Sequence, residues 1–145
     1  MYDFDKSLGK ITGLVSRAIG HRLEEKLAQH GIKLTAAQWS IISLLHKKTD
    51  QTQKDIAVFL ELDKVMVKRL IDQLEKTGLL TRRVSHTDRR ANYVNLTESG
   101  IALYHIVSSD AEEALNVAYK NITENEHNQV FSVLERIYSN LKREQ

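Results

Sequence analysis

Arg82-Arg83-Val84-Ser85-His86-Thr87-Asp88-Arg89-Arg90-Ala91-Asn92-Tyr93-Val94-Asn95-Leu96-Thr97 is the stretch from which the rest of this chain is read. Its two ends alternate apolar and polar residues, the period of half-buried strands, so they pair as a hairpin. The loop between them carries Arg89 and Arg90, with Asp88 as the nearby countercharge. A cationic tip that no core can neutralise is suited to reach a polyanion.

What precedes the hairpin gives it a partner. Asp63 reads as the N-cap of a helix over Lys64–Thr77 with Val67, Leu70, Ile71 and Leu74 on its inner face, closed by Gly78. Upstream, Thr52 caps a short helix holding Ile56, Ala57 and Leu60. Thr35-Ala36-Ala37-Gln38 is a capping box that opens a helix with Trp39, Ile42 and Leu45 inward, ending near 47–50. Three short helices and a hairpin in this order, over 35–97, make a winged helix-turn-helix.

Longer helices flank this module. Phe4, Leu8, Ile11, Val15, Ala18, Leu23 and Leu27 stripe one predicted helix over 4–29, ended by His30-Gly31. Thr97 caps another over 98–121, with Tyr104, Val107, Ala111, Ala114, Ala118 and Ile122 along one side. Thr123-Glu124-Asn125-Glu126 opens a last helix striped by Val130, Leu134, Ile137 and Leu141, with Phe131 and Tyr138 beside them. The expected fold class is therefore mainly α with a small β-hairpin, in a single domain over 1–145. Residues 1–31 and 98–145 serve as dimerisation helices, because a module of 35–97 is too small to cover their stripes. The partner so implied is a second copy of the chain, in a homodimer.

Charge is distributed unevenly. The 145 residues carry a formal net charge of +2. Between Lys64 and Tyr93 eight basic residues face three acidic ones, a local +5 that leaves −3 for the remainder. Such a basic middle points to a localised anion-binding face. There is no cysteine, which excludes disulfides, thiolate metal sites and cysteine redox sensing. The six histidines are scattered with no His-x-x-x-His pair, so no metal is expected. No Gly-rich phosphate loop, nucleophile–base pair or spaced carboxylate pair is visible, so the chain is not expected to be an enzyme and no cofactor is implied. Met1-Tyr2-Asp3-Phe4-Asp5 lacks the character of a signal peptide, and no apolar run reaches membrane-spanning length. The expected location is cytoplasmic, away from the membrane.

The candidate contacts follow from the module. Lys64, Val65, Lys68, Arg69 and Asp72 lie on the outer face of the 64–77 helix. Arg69 carries the fork that matches the two acceptors of guanine; Lys64 and Lys68 reach bases or phosphates; Val65 and Met66 suit thymine methyl groups. At the hairpin tip an arginine meets the minor groove, where width and negative potential are read. Arg82 and Arg83 compete for a phosphate, since strand alternation forbids both from facing one side. Asp88 restrains an arginine, and Thr52 and Gln53 offer phosphate contacts at the start of their helix. The same basic face would also serve a winged-helix protein-interaction module holding an acidic partner.

The run Leu74-Glu75-Lys76-Thr77-Gly78-Leu79-Leu80-Thr81-Arg82, then Asp88-Arg89-Arg90 and Val94-Asn95-Leu96-Thr97-Glu98-Ser99-Gly100, resembles the MarR family of bacterial transcriptional regulators, closest to its SlyA branch. The resemblance covers nearly the whole chain. It implies a homodimer, with its terminal helices interleaved, on double-stranded DNA at a pseudo-palindromic operator, acting as a repressor. It matches the family's wing arginine to Arg90 and the recognition-helix arginine of SlyA-like members to Arg69. It further implies relief by a small phenolic or aromatic acid ligand, for which Trp39 offers a stacking face and Arg17 or His21 a carboxylate partner; core packing is the competing role for Trp39.

Overall fold

Each long helix begins where a short polar side chain takes up N–H groups that the helix itself leaves free. The computed structural model describes residues 1–88 and 90–143. Ser7 opens α1 (Leu8–Gln29), Thr35 opens α2 (Ala36–Lys47) and Thr52 opens α3 (Gln53–Leu60). Asp63 opens α4 (Lys64–Lys76), Thr97 opens α5 (Glu98–Ala118) and Thr123 stands before α6 (Glu124–Arg143). Thr35 with Gln38, and Thr52 with Asp55, form reciprocal capping boxes.

Two boundaries differ from the sequence expectation. Residues 4–29 are not one helix: Asp3 caps a single 3-10 turn, Phe4–Lys6, and Ser7 restarts the chain with an extended backbone and its hydroxyl on Lys10 N. A residue spent as an N-cap cannot continue the helix before it. At the other end α5 stops at Ala118, and Asn121 takes a left-handed conformation (φ 61°) that turns the chain into α6.

Strands β1 (Leu80–Val84) and β2 (Asn92–Leu96) pair antiparallel, with Arg82 opposite Val94. The loop before α3 adds a further rung that the periodicity did not show. Val94 N donates to Gln51 O at 2.7 Å, while Asp50 N donates to Asn95 Oδ1 at 2.8 Å and Asn95 Nδ2 to Asp50 Oδ1 at 2.9 Å. The wing is thus sewn to the entrance of α3.

The core lies where α2 meets α1, α3, α4, α5 and β2. Being surrounded, α2 buries Ile41, Ile42, Leu44 and Leu45 rather than one stripe. Leu27, Ile56, Val67, Ile71, Leu74, Val94 and Val107 complete its closed centre. Gly100 lets α5 start hard against the link between α4 and β1: a Cβ there would sit 2.2 Å from Leu79 O. The ends of the chain are different. α1 buries only Leu23 and Leu27 and exposes Leu8, Ile11, Leu14 and Val15; α6 buries nothing and exposes Val130, Phe131, Leu134 and Leu141. α6 reaches back to the helical module through Tyr138 and Lys142, both of which engage the carboxylate of Glu61.

Candidate nucleic-acid interface

The turn between α3 and α4 is made by Glu61 in the left-handed region (φ 52°) and by Asp63, whose Oδ1 accepts from Val65 N at 2.9 Å and Met66 N at 3.1 Å. That turn presents one face of α4 to solvent. Val65 is 77% exposed, and Lys68, Arg69, Asp72, Gln73 and Lys76 line the same shallow groove with it. Met66, expected beside Val65, is instead half-buried and packs on the core, because it falls near the inner stripe of Val67 and Leu70.

The cations of this face divide into two sets. Arg82 points from β1 onto α4: Nη2 lies 2.5 Å from Asp72 Oδ1 and 2.9 Å from Gln53 Oε1, and Nη1 lies 2.6 Å from Glu75 Oε1. Lys68 Nζ shares Asp72 at 2.8 Å. The hydrogen bonds from Lys68 and then Arg82 hold the Asp72 carboxyl below its ordinary value of 3.8. Arg83, one residue on and therefore on the opposite side of the strand, pairs with Asp50 at 2.7 Å. Neither strand arginine has an idle guanidinium. Lys64, Arg69, Lys76 and Arg90, by contrast, make no ion pair among the described residues.

The α3 entrance is similarly occupied. Thr52 N and Oγ1 both donate to Asp55 Oδ2, at 2.9 and 2.8 Å, and these bonds, the backbone one first, lower the Asp55 pKa. The side chains of Thr52 and Gln53 are therefore engaged within the protein. Lys54, which the sequence reading did not single out, sits with Thr52, Gln53, Arg90, Ala91 and Asn92 around a depression of about 380 Å³. Its position in the first turn of a capped helix beside the wing was the signal available. At the wing, Asp88 Oδ1 accepts from Arg90 N at 2.9 Å, so it restrains the arginine through its backbone and not its side chain. Arg89 lies outside the described residues.

The three ligand candidates separate. Arg17 and His21 line one depression of about 490 Å³ between α1 and α2, with Ser16, Gly20, Glu24 and Ala36. Trp39 does not line it; its ring stacks on Tyr104 of α5 at 5.4 Å, and Tyr104 stacks in turn on His46 at 3.6 Å. Among the described residues there is no cluster of metal-ligating side chains, and no helix is long and apolar enough to cross a membrane.

Known proteins share this fold. Residues 34–91, the span from α2 into the wing, match the model of the MarR family. The HTH-type transcriptional regulator MhqR of Bacillus subtilis (strain 168) is 28% identical over 126 residues, 87% of this chain and 86% of that protein. The structure of MepR from S. aureus in complex with DNA is similar at TM-score 0.83 and 26% identity, over 92% of this chain and 98% of that one. The transcriptional regulator SlyA is similar at TM-score 0.86 and 21% identity, over 96% of each chain, and is one of several MarR regulators with this fold. The winged helix-turn-helix of this chain therefore carries a MarR family domain over residues 34–91, within a fold shared along nearly the whole chain by solved MarR regulators.

Proposed function

We propose that two copies of this chain bind a pseudo-palindromic site in double-stranded DNA, α4 entering the major groove and the wing the adjacent minor groove. The observation that carries this is the sorting of cations. Arg69 on α4 and Arg90 on the wing are exposed and make no ion pair among the described residues, while Arg82 and Arg83 are tied within the protein. Arg69 reads guanine, Val65 meets thymine methyl groups, and Arg90 enters the narrow groove. Lys64, Lys68, Lys54 and Arg89 add phosphate or groove contacts, and the backbone donors of the α3 entrance, with Thr52 and Gln53, receive a phosphate.

The second copy follows from the uncovered stripes of α1 and α6, which a homodimer would bury together. On its operator such a dimer acts in the cytoplasm as a repressor, by occupying the DNA that transcription must traverse. The depression between α1 and α2, with Arg17 and His21 at its wall, would take the carboxylate of a small aromatic acid whose binding releases the DNA.

Selection of fragments from a random duplex pool by the purified protein tests the central claim. An enriched palindrome, bound with a steep salt dependence, is the expected result. About 6–10 phosphate contacts would cost roughly a thousandfold or more in affinity between 50 and 200 mM salt. Equal binding to enriched and random duplex at physiological salt would instead support a module for an acidic protein partner.

A further inference from the structure

Ser85 is buried (4% exposed) at the base of a wing whose described neighbours His86, Thr87, Asp88 and Arg90 are all exposed. Its backbone extends the hairpin past its last strand pair, Ser85 N donating to Ala91 O at 2.9 Å. Its hydroxyl does more. Oγ accepts from Thr87 N and from Asp88 N, both at 3.2 Å, and lies 3.1 Å from Thr87 Oγ1 and 3.4 Å from the Tyr93 hydroxyl of β2. One oxygen thus closes the outgoing half of the turn and anchors it to the strand below. Asp88, placed by that bond, then receives Arg90 N on its carboxylate, and its carbonyl receives Ala91 N at 3.0 Å. The chain of bonds runs from Ser85 through Asp88 to the backbone of Arg90.

We infer that Ser85 is a positioning residue for DNA recognition: its hydroxyl sets the wing turn in the conformation that carries Arg90, and it acts through Arg90 rather than by touching DNA. This rests on the DNA-binding function proposed above. A wing held in one conformation before binding does not lose that freedom on the DNA, so the hydroxyl contributes to affinity without a contact of its own. Serine suits the place because a short hydroxyl can serve backbone donors two and three residues ahead while fitting a closed space. Asn offers an equivalent acceptor on a neutral side chain, whereas Ala offers none.

The test uses the full-length protein, the duplex enriched by the wild type, and fluorescence anisotropy. Ser85→Ala is expected to bind on the order of five- to twentyfold more weakly, with Ser85→Asn recovering most of the loss. Hydrogen exchange at the Thr87 and Asp88 amides should quicken in the Ala variant. In an Arg90→Ala background the same change should be nearly silent, because the group it positions is gone. Tyr93→Phe, which removes only the hydroxyl beside Ser85 Oγ, provides a milder probe and should likewise lose its effect on Arg90→Ala. Wild-type affinity in Ser85→Ala, unchanged amide exchange, or a penalty that adds in full to Arg90→Ala would overturn the inference. If the wild type itself shows no preference for the enriched duplex, the DNA-binding function falls, and Ser85 positions nothing for it.

Discussion

Arg82 of β1 holds Asp72 of α4 at 2.5 Å, and through it the wing is braced against the helix that lies beside it. Glu75 and Gln53 take the remaining reach of the same guanidinium, so one side chain joins β1, α4 and the entrance of α3. A planar fork with several donors is needed for that, and lysine cannot reproduce it.

Replacing Arg82 with Ala or Lys should therefore weaken binding to the enriched duplex without removing an exposed cation. The pH dependence is fixed in sign. Asp72 has its carboxyl lowered from 3.8, so the stabilisation it provides is complete above the ordinary value and is lost as pH falls through the still lower folded value. The gap in affinity between wild type and Arg82→Ala should stay constant between about pH 5 and pH 8. Anisotropy titrations across that range check it; a gap that closed by pH 5 would remove Asp72 from the brace.

Arg69→Ala and Arg90→Ala should fail in different ways. Losing a bidentate guanine pairing costs roughly 1–3 kcal/mol and relaxes discrimination at one base pair in each half-site. Losing the wing arginine should weaken binding to all sequences more evenly and reduce the salt slope by about one for each phosphate it neutralises. Binding to a panel of single-base operator variants at several salt concentrations separates the two.

Leu134→Glu places a charge in the exposed stripe of α6, where it costs the single chain little. If that stripe is the seam between copies, the change costs twice over in a symmetric dimer, at about 1.5–3 kcal/mol for each buried leucine removed. Sedimentation should show a shift towards monomer, and half-site binding should fall with it. A variant that remained dimeric at low micromolar concentration would place the seam elsewhere.

Gly100→Ala should destabilise the fold rather than the site. The added carbon would meet backbone, the Leu79 carbonyl oxygen at 2.2 Å, and backbone cannot move aside as a side-chain tip can. Overpacking of this kind costs roughly 1–3 kcal/mol, which thermal unfolding would register as a lowered Tm. Thr97→Ala should add to the damage, since Thr97 Oγ1 caps Gly100 N and donates to Gly78 O at 2.6 Å.

Helix starts were legible because capping is local. Thr35, Thr52, Asp63 and Thr97 each stand within a few residues of the donors they serve, so spacing alone locates them. The pairing of Leu80–Val84 with Asn92–Leu96 was legible for the same reason, as a short alternating pattern on either side of a polar loop. The break at Ser7 was not legible, because the apolar stripe runs on across it and only the structure shows its hydroxyl as the N-cap of α1.

The contents of the interface were less legible. Arg82 and Arg83 look alike in sequence, yet one closes on Asp72 and Glu75 and the other on Asp50, partners seven to thirty-three residues away. Met66 and Val65 are neighbours of similar chemistry, and only the rotation of α4 on the core sends one inward. Trp39 offered an aromatic face for a ligand, and the packing of α2 on α5 gives that face to Tyr104.

By itself the sequence determined the order of the main elements, most of their caps and the likeness of the middle module to the MarR domain, because these depend on patterns within a turn or a strand pair. The tertiary structure alone decided which charges remain available. Whether an arginine is neutralised depends on which carboxylates the fold brings within about 4 Å, a distance over which Coulomb attraction is strong and beyond which solvent soon screens it. Arg69 and Arg90 stand out only once Asp72, Glu75 and Asp50 are seen to be taken by others.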